Sequence, residues 1–319
     1  MKIRVMNNFL NIKRSIQSSA LLLAAIFTLA NPAVAESTAA STSMGPTLDK
    51  IASTGIIFAA HRESSIPFSY VSSGASDAVV YGYSWEICGH IAKAVQQRIG
   101  RDIKVVPVAV STNSRIMMVK VGMADLECGA TTNNVARQKQ VAFSNTFYVA
   151  DVRLMVRKNS GIKRISDLAG KRVVTTLGTT ADRLIKQAAL VNNITILYLM
   201  GRTHAESMGM ILRGEADVYV GDDAILAGER ANSSLQDELV FLEEVLATEP
   251  YGIVLPKDDP AFKGLVDEAI VGLMKSGELN QIYNKWFMNP IPPKGINLQM
   301  PMSEKLKAAI ANPNDKPVY

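Results

Sequence analysis

Three arginines stand where strands should give way to helices. Arg62 follows the apolar run 55–60, in His61-Arg-Glu-Ser-Ser-Ile-Pro-Phe-Ser69. Arg115 ends Ser111-Thr-Asn-Ser-Arg115, and Arg137 lies one helical turn beyond Thr131-Thr132. A guanidinium fork grips a carboxylate through two hydrogen bonds, and threonine hydroxyls and helix-start amides add others. Gly178-Thr-Thr-Ala181 repeats the helix-start arrangement farther along. Asp222-Asp223 sets two carboxylates side by side, a pattern open to acid/base work or to a metal. Asp258-Asp259-Pro260 reads instead as a turn and a helix cap.

Other chemistry is missing. The chain has no Gly-x-Ser-x-Gly elbow, Walker loop, His-Glu-x-x-His or Gly-x-Gly-x-x-Gly. His61, His90 and His204 are isolated from one another and from the cysteines, so no metal-ligand spacing appears and no cofactor is expected.

These residues need a frame. Strands are expected at 55–60, 103–108, 125–128, 152–156, 172–175, 194–199 and 218–220. Helices are expected at 83–100, 114–121, 180–190, 204–213, 223–231, 261–275 and 278–287. The alternation predicts an α/β fold with largely parallel sheets. Gly122-Met-Ala-Asp125 and Gly214-Glu-Ala-Asp217 repeat a helix end followed at once by a strand. Each strand then runs into a polar loop, 129–133 or 221–223. Ligands collect outside the carboxyl ends of such strands, so both loops are expected to face one ligand.

The 34 Lys+Arg and 29 Asp+Glu residues give a formal charge of +5. Lys2, Arg4, Lys13 and Arg14 supply most of it, and no acid falls within 1–35. Those bases, the apolar run 20–30 and Ala33-Val-Ala35 have the layout of a signal peptide cut after Ala35. The run is far short of the roughly 20 residues that cross a bilayer. The rest of the chain is nearly neutral, so no nucleic-acid partner is expected. Residues 36–47 read as a flexible leader. Export to an oxidising compartment permits a Cys88–Cys128 bridge, and two buried thiols fit equally well; spacing does not decide.

Five stretches resemble periplasmic glutamate/aspartate-binding proteins. They are 61–70, 127–140 (Glu-Cys-Gly-Ala-Thr-Thr-Asn-Asn-Val-Ala-Arg-Gln-Lys-Gln), 222–231, 285–294 (Lys-Trp-Phe-Met-Asn-Pro-Ile-Pro-Pro-Lys) and 312–316. The resemblance runs in order through 48–319. It implies a two-lobed type II periplasmic binding protein fold with two hinge crossovers, serving an ABC permease and ATPase. Lobe one would be 48–149 plus 249–290 and lobe two 150–248, with crossovers near Ala150 and 249–252. The tail 291–319 would pack on a lobe of a monomeric protein.

The same resemblance distributes roles. Arg137 and Thr132 would hold an α-carboxylate, and Asp222 an α-ammonium, with Asp223 as the alternative. Arg62, Thr112, Arg115 and His204 would hold a side-chain carboxylate, and Thr180 would face the same cleft. Ala130 stands where the family has Ser, losing a hydroxyl but keeping a carbonyl acceptor. Thr112 replaces Ser and adds a methyl group.

Charge supports an acidic ligand independently. A zwitterion matches Arg137 and Asp222, and Arg62 and Arg115 would then be unpaired against a neutral amino acid. Burying unpaired charge is costly, so a carboxylate side chain is expected. Two rivals share the fold. One is an exported enzyme of the small-acid dehydratase type, for which His204 or Glu63 would be the acid or base. The other is a binder of a different acidic solute without an amino group, which Asp222 would repel.

Overall fold

A computed structural model of the chain describes residues 43–72 and 79–319. The signal peptide expected at 1–35 lies outside them, as does the leader up to residue 42. The leader's last residues do not fit that expectation. Pro46 and Thr47 open α1 (Pro46–Thr54), and Thr47 is buried. Proline suits a helix's first turn, where its missing N–H is not needed. The Thr47 N–H donates to Asp259 at 2.8 Å.

The first part of the chain continues through β1 (Ile56–His61), β2 (Ser64–Ser65), β3 (Ser69–Val71), β4 (Val80–Tyr81) and α2 (Tyr83–Ile99). There follow β5 (Lys104–Ala109), α3 (Arg115–Lys120), β6 (Leu126–Glu127), α4 (Val135–Gln138) and β7 (Ala142–Phe143). A long strand, β8 (Tyr148–Arg157), then leads to β9 (Arg172–Thr176), α5 (Ala181–Val191), β10 (Leu197–Gly201) and α6 (His204–Leu212). Next are β11 (Val218–Asp222), α7 (Asp223–Ala231) and β12 (Leu239–Phe241). The chain returns along β13 (Ala247–Tyr251) to β14 (Val254–Leu255), α8 (Pro260–Ser276), α9 (Glu278–Phe287) and α10 (Glu304–Ala311).

Two sheets result, each the centre of a lobe. The first has the order β5-β1-β6-β14-β7, and the second β10-β9-β11-β8-β12, with β13 also on β8. Parallel pairing is confined to β5, β1 and β6, and to β10, β9 and β11. The remaining pairs are antiparallel, so the sheets are mixed, not largely parallel. Every antiparallel pair in these sheets includes β8, which carries the first crossing, or β14, which follows the second. β8 and β13 carry the chain between the sheets side by side, with Ala150 opposite Glu249 and Tyr148 opposite Tyr251.

Side-chain alternation explains the second sheet's two-sided burial. Val218 and Val220 pack with Ile185 and Ala189 of α5, and Tyr219 between them packs with Met208 and Ile211 of α6. β10 begins later than expected because Ile194 and Ile196 pack against the α5 cluster before pairing starts. The repeated Gly-x-Ala-Asp segments have one job in both lobes. Asp125 exchanges backbone and side-chain hydrogen bonds with Phe58 of β1, and Asp217 does the same with Arg172 of β9.

Three features brace the crossings. Tyr148 and Tyr251 join an aromatic cluster with Phe68, Tyr83, Tyr283 and Phe287, in which the Tyr283 and Phe287 rings stack 4.2 Å apart. Cys88 of α2 is disulfide-bonded to Cys128, directly after β6. Closing a chain separation of 40 residues restricts the unfolded state, stabilising the fold by on the order of 4 kcal/mol. The tail supplies the third brace. Lys305 binds Asp151 and Thr248, one on each crossing strand. Val318 pairs with Asn134, its carbonyl accepting from Val135 at 2.9 Å, and the Tyr319 carbonyl accepts from Arg183 of α5.

Candidate ligand-binding cleft

At the strand ends of the two sheets, hydrogen bonds and close charges bring together eight of the nine residues singled out above, Ala130 being the exception. β1 ends at His61 and delivers Arg62, which is 3% exposed. One guanidinium nitrogen, Nη2, donates to Thr112 Oγ1, and Nε and Nη1 are buried without a partner. Arg115 opens α3 and is 1% exposed. Its Nη1 donates to the Thr112 carbonyl, and its Nε is also unpartnered. Two buried guanidiniums thus share Thr112 and each keep donors without a partner.

His204 starts α6 from the other lobe, behind the Thr203 cap. Its Nδ1 lies 3.0 Å from the Tyr219 hydroxyl, which also meets Thr176. Burial, with the Arg62 and Arg115 charges nearby, pushes the imidazole well below its usual range, so it is neutral. Burial pushes Arg62 down to about 10, and burial with the nearby Arg137 and Arg62 charges lowers Arg115 well below its usual range.

A second group surrounds Arg137. Asn134 caps α4 by accepting the Arg137 N–H at 2.9 Å, which fixes the short helix. The guanidinium spans the cleft, donating to the Thr132 carbonyl at 2.9 Å and to the Gly178 carbonyl of the other lobe at 3.1 Å. Gly178 has a φ of +80°, and a Cβ there would lie 2.9 Å from the Thr112 carbonyl oxygen, so only glycine serves. Asp222 ends β11 and accepts from the Tyr251 hydroxyl of β13. Burial and the neighbouring Glu249 carboxylate push Asp222 up to about 7, against the opposing effects of Tyr251 and Arg137. Asp223 instead holds the Ala224 N–H at 2.8 Å. Ala130 places its methyl group in the apolar core.

Two carboxylates were not foreseen. Glu127 of β6 is fully buried and accepts from Thr131 at 2.8 Å, leaving Oε1 unpartnered. It faces Arg62, Arg115 and Arg137 electrostatically. Glu249 of β13 accepts from Thr132 of one lobe at 2.8 Å and Thr180 of the other at 2.6 Å. Arg62 and Arg115 are therefore not alone, as the charge argument assumed: one carboxylate stands against the two. The pocket between them keeps a net positive charge. A lone glutamate in a short strand reads as a solvated side chain. Only the flanking apolar residues of Glu127, and the Pro-Tyr-Gly after Glu249, hinted otherwise.

The widest surface grooves contain none of these residues. One of about 380 Å³ lies beside Trp85 and Trp286, and one of about 420 Å³ beside Lys120 and Lys257. Among the described residues no cluster of His, Cys, Asp or Glu is arranged to hold a metal, and no helix is long and apolar enough to cross a membrane.

Comparison with known proteins places the chain in a family. Residues 57–289 match the model for bacterial extracellular solute-binding proteins, family 3. The chain is 40% identical to the glutamate/aspartate import solute-binding protein of Escherichia coli (strain K12), over 89% of this chain and 93% of that one. It is 43% identical to the L-glutamate/L-aspartate-binding protein of Pseudomonas aeruginosa, over 85% and 89%. Among solved structures, a mutant of ArgBP from T. maritima superposes with a TM-score of 0.64 at 26% identity, covering 76% of this chain and 99% of that one. An ancestral amino-acid-binding protein, a precursor of cyclohexadienyl dehydratase, shares the fold with the same TM-score at 24% identity, covering 76% and 99%. Two mixed sheets joined by paired crossings, with a charged cleft at their strand ends, are the type II periplasmic binding protein fold, and the chain belongs to the bacterial extracellular solute-binding proteins, family 3.

Proposed function

We propose that this protein captures L-glutamate and L-aspartate in the periplasm and delivers them to the permease and ATPase of an ABC importer. Residues 1–35 would direct its export, with cleavage after Ala35, and it would act as a monomer. The observation that carries the reading is the pair of buried guanidiniums, Arg62 and Arg115, which both donate to Thr112, lie close enough to lower His204, and keep donors without a partner. That pocket suits a side-chain carboxylate and leaves an amide poorly matched. Arg137 and Thr132 hold the α-carboxylate. The Thr132 hydroxyl proton is committed to Glu249, while its backbone N–H has no acceptor among the described residues and is the donor offered to the ligand. Asp222 and the Ala130 carbonyl take the α-ammonium, and Thr180 borders it from the second lobe.

Closure is a hinge motion about β8 and β13, driven by contacts the ligand makes with both lobes. Lobe one comprises 48–149 plus 249–290, extended at its start by α1, and lobe two 150–248. On this reading the protein is a binding protein and not an enzyme; of the two acid/base candidates, His204 and Glu63, His204 is held against the Tyr219 hydroxyl. Calorimetric titration of residues 36–319 with L-glutamate, L-aspartate, L-glutamine and succinate is the test. The two acidic amino acids should bind at least about a hundredfold more tightly than the others. Tight glutamine binding without glutamate binding would sink the reading, and turnover of any of them would favour the dehydratase-type alternative.

A further inference from the structure

Resting on that reading, we infer that Glu249 is a specificity-determining residue of the cleft: with Asp222 it forms a two-carboxylate seat that demands an ammonium group on the ligand. Glu249 is 1% exposed and lies on a crossing strand, at the boundary between the lobes. Thr132 reaches it from the first lobe and Thr180 from the second. Both donate to Oε2, and Oε1 receives no hydrogen bond among the described residues. Each hydroxyl has one proton and gives it to Glu249, so the carboxylate is held in place from both sides.

The charges around it favour a cation. Asp222 and Glu249 feel each other as the strongest like charge near Asp222, and Arg137 feels Glu249 as its strongest opposite charge. One guanidinium thus faces Glu249 and Asp222, with Glu127 as a weaker third, and it already spends two donors on the Thr132 and Gly178 carbonyls. An α-ammonium has three N–H donors and needs three acceptors. Asp222 and the Ala130 carbonyl supply two. Ala130 has no hydroxyl, and Glu249, the strongest like charge beside Asp222 and with Oε1 free of hydrogen bonds among the described residues, supplies the third. A dicarboxylate of the same length without the amino group would bring its charge against both carboxylates with nothing to offset them.

L-Aspartate and succinate differ only in that group. Titration of the intact protein and of Glu249→Gln with both ligands is the test. The substitution should cost L-aspartate at least about tenfold in affinity and leave succinate unchanged or tighter, so the ratio falls. Parallel losses for both ligands, or an unchanged ratio, overturn the assignment of Glu249 alone. If the Gln variant does not fold, Glu249→Asp carries the test. A carboxylate withdrawn by one methylene should lower L-aspartate affinity several-fold and spare succinate, and equal losses again overturn it. Unmodified protein that binds neither acid overturns the preceding reading and this one together.

Discussion

Asp222 joins binding to protonation. Burial and Glu249 raise it to about 7, and the other groups that face it are Asp223, Arg137 and Tyr251. An ammonium beside Asp222 favours its charged form, so binding lowers its pKa and releases a proton wherever the free protein still holds one. The sign is fixed: affinity rises with pH up to about 7 and is flat above. L-Glutamate is expected to bind about tenfold more weakly at pH 6 than at pH 8. His204 titrates well below that window and stays silent in it. Titrations in buffers of different ionisation enthalpy should detect the released proton at pH 6, and a pH-independent affinity would place the ammonium elsewhere. At this scale the cations and Asp222 were legible because each sits where a strand ends. Glu127 and Glu249 were not, because what makes them functional is burial against residues distant in sequence.

Helix α7 packs against the loop that follows Arg62, with Ala224, Ile225, Ala227 and Ile66 in one buried cluster. A Cβ at Gly228 would lie 2.5 Å from the Ile66 carbonyl oxygen. That atom is backbone and cannot swing aside, so Gly228→Ala should push helix and loop apart, costing about 1–3 kcal/mol of stability and weakening L-glutamate binding. An unchanged melting temperature and affinity in thermal and calorimetric assays would show that the contact is dispensable. The long helices were legible from their apolar spacing. The mixed strand directions were not, because periodicity carries no information on pairing partners. The small sheet β2-β3-β4 escaped as well, since its strands of two or three residues are too short to show alternation.

For the molecule as a whole, two strands carry every covalent link between the lobes. The surrounding chain stiffens them from one side: the aromatic cluster below, the disulfide behind the 129–133 loop, and Lys305 across both strands. This arrangement was only partly legible. The proline-rich tail read as a wrapping segment, but the residues it touches depend on tertiary geometry. Asn133 donates to the Asp315 carbonyl at 2.8 Å, and Val318 accepts from Val135, the first residue of the helix that carries Arg137.

That last contact has a practical side. The final residues make a single β-bridge that steadies the Arg137 helix on one lobe and reach Arg183 on the other. A purification tag or fluorescent reporter fused after Tyr319 would start inside this clasp. Such a fusion should bind L-glutamate several-fold more weakly than the same protein tagged ahead of Ser43, a difference that a side-by-side titration would reveal. Sensor designs built on this chain are better served by an attachment point at the start of the domain.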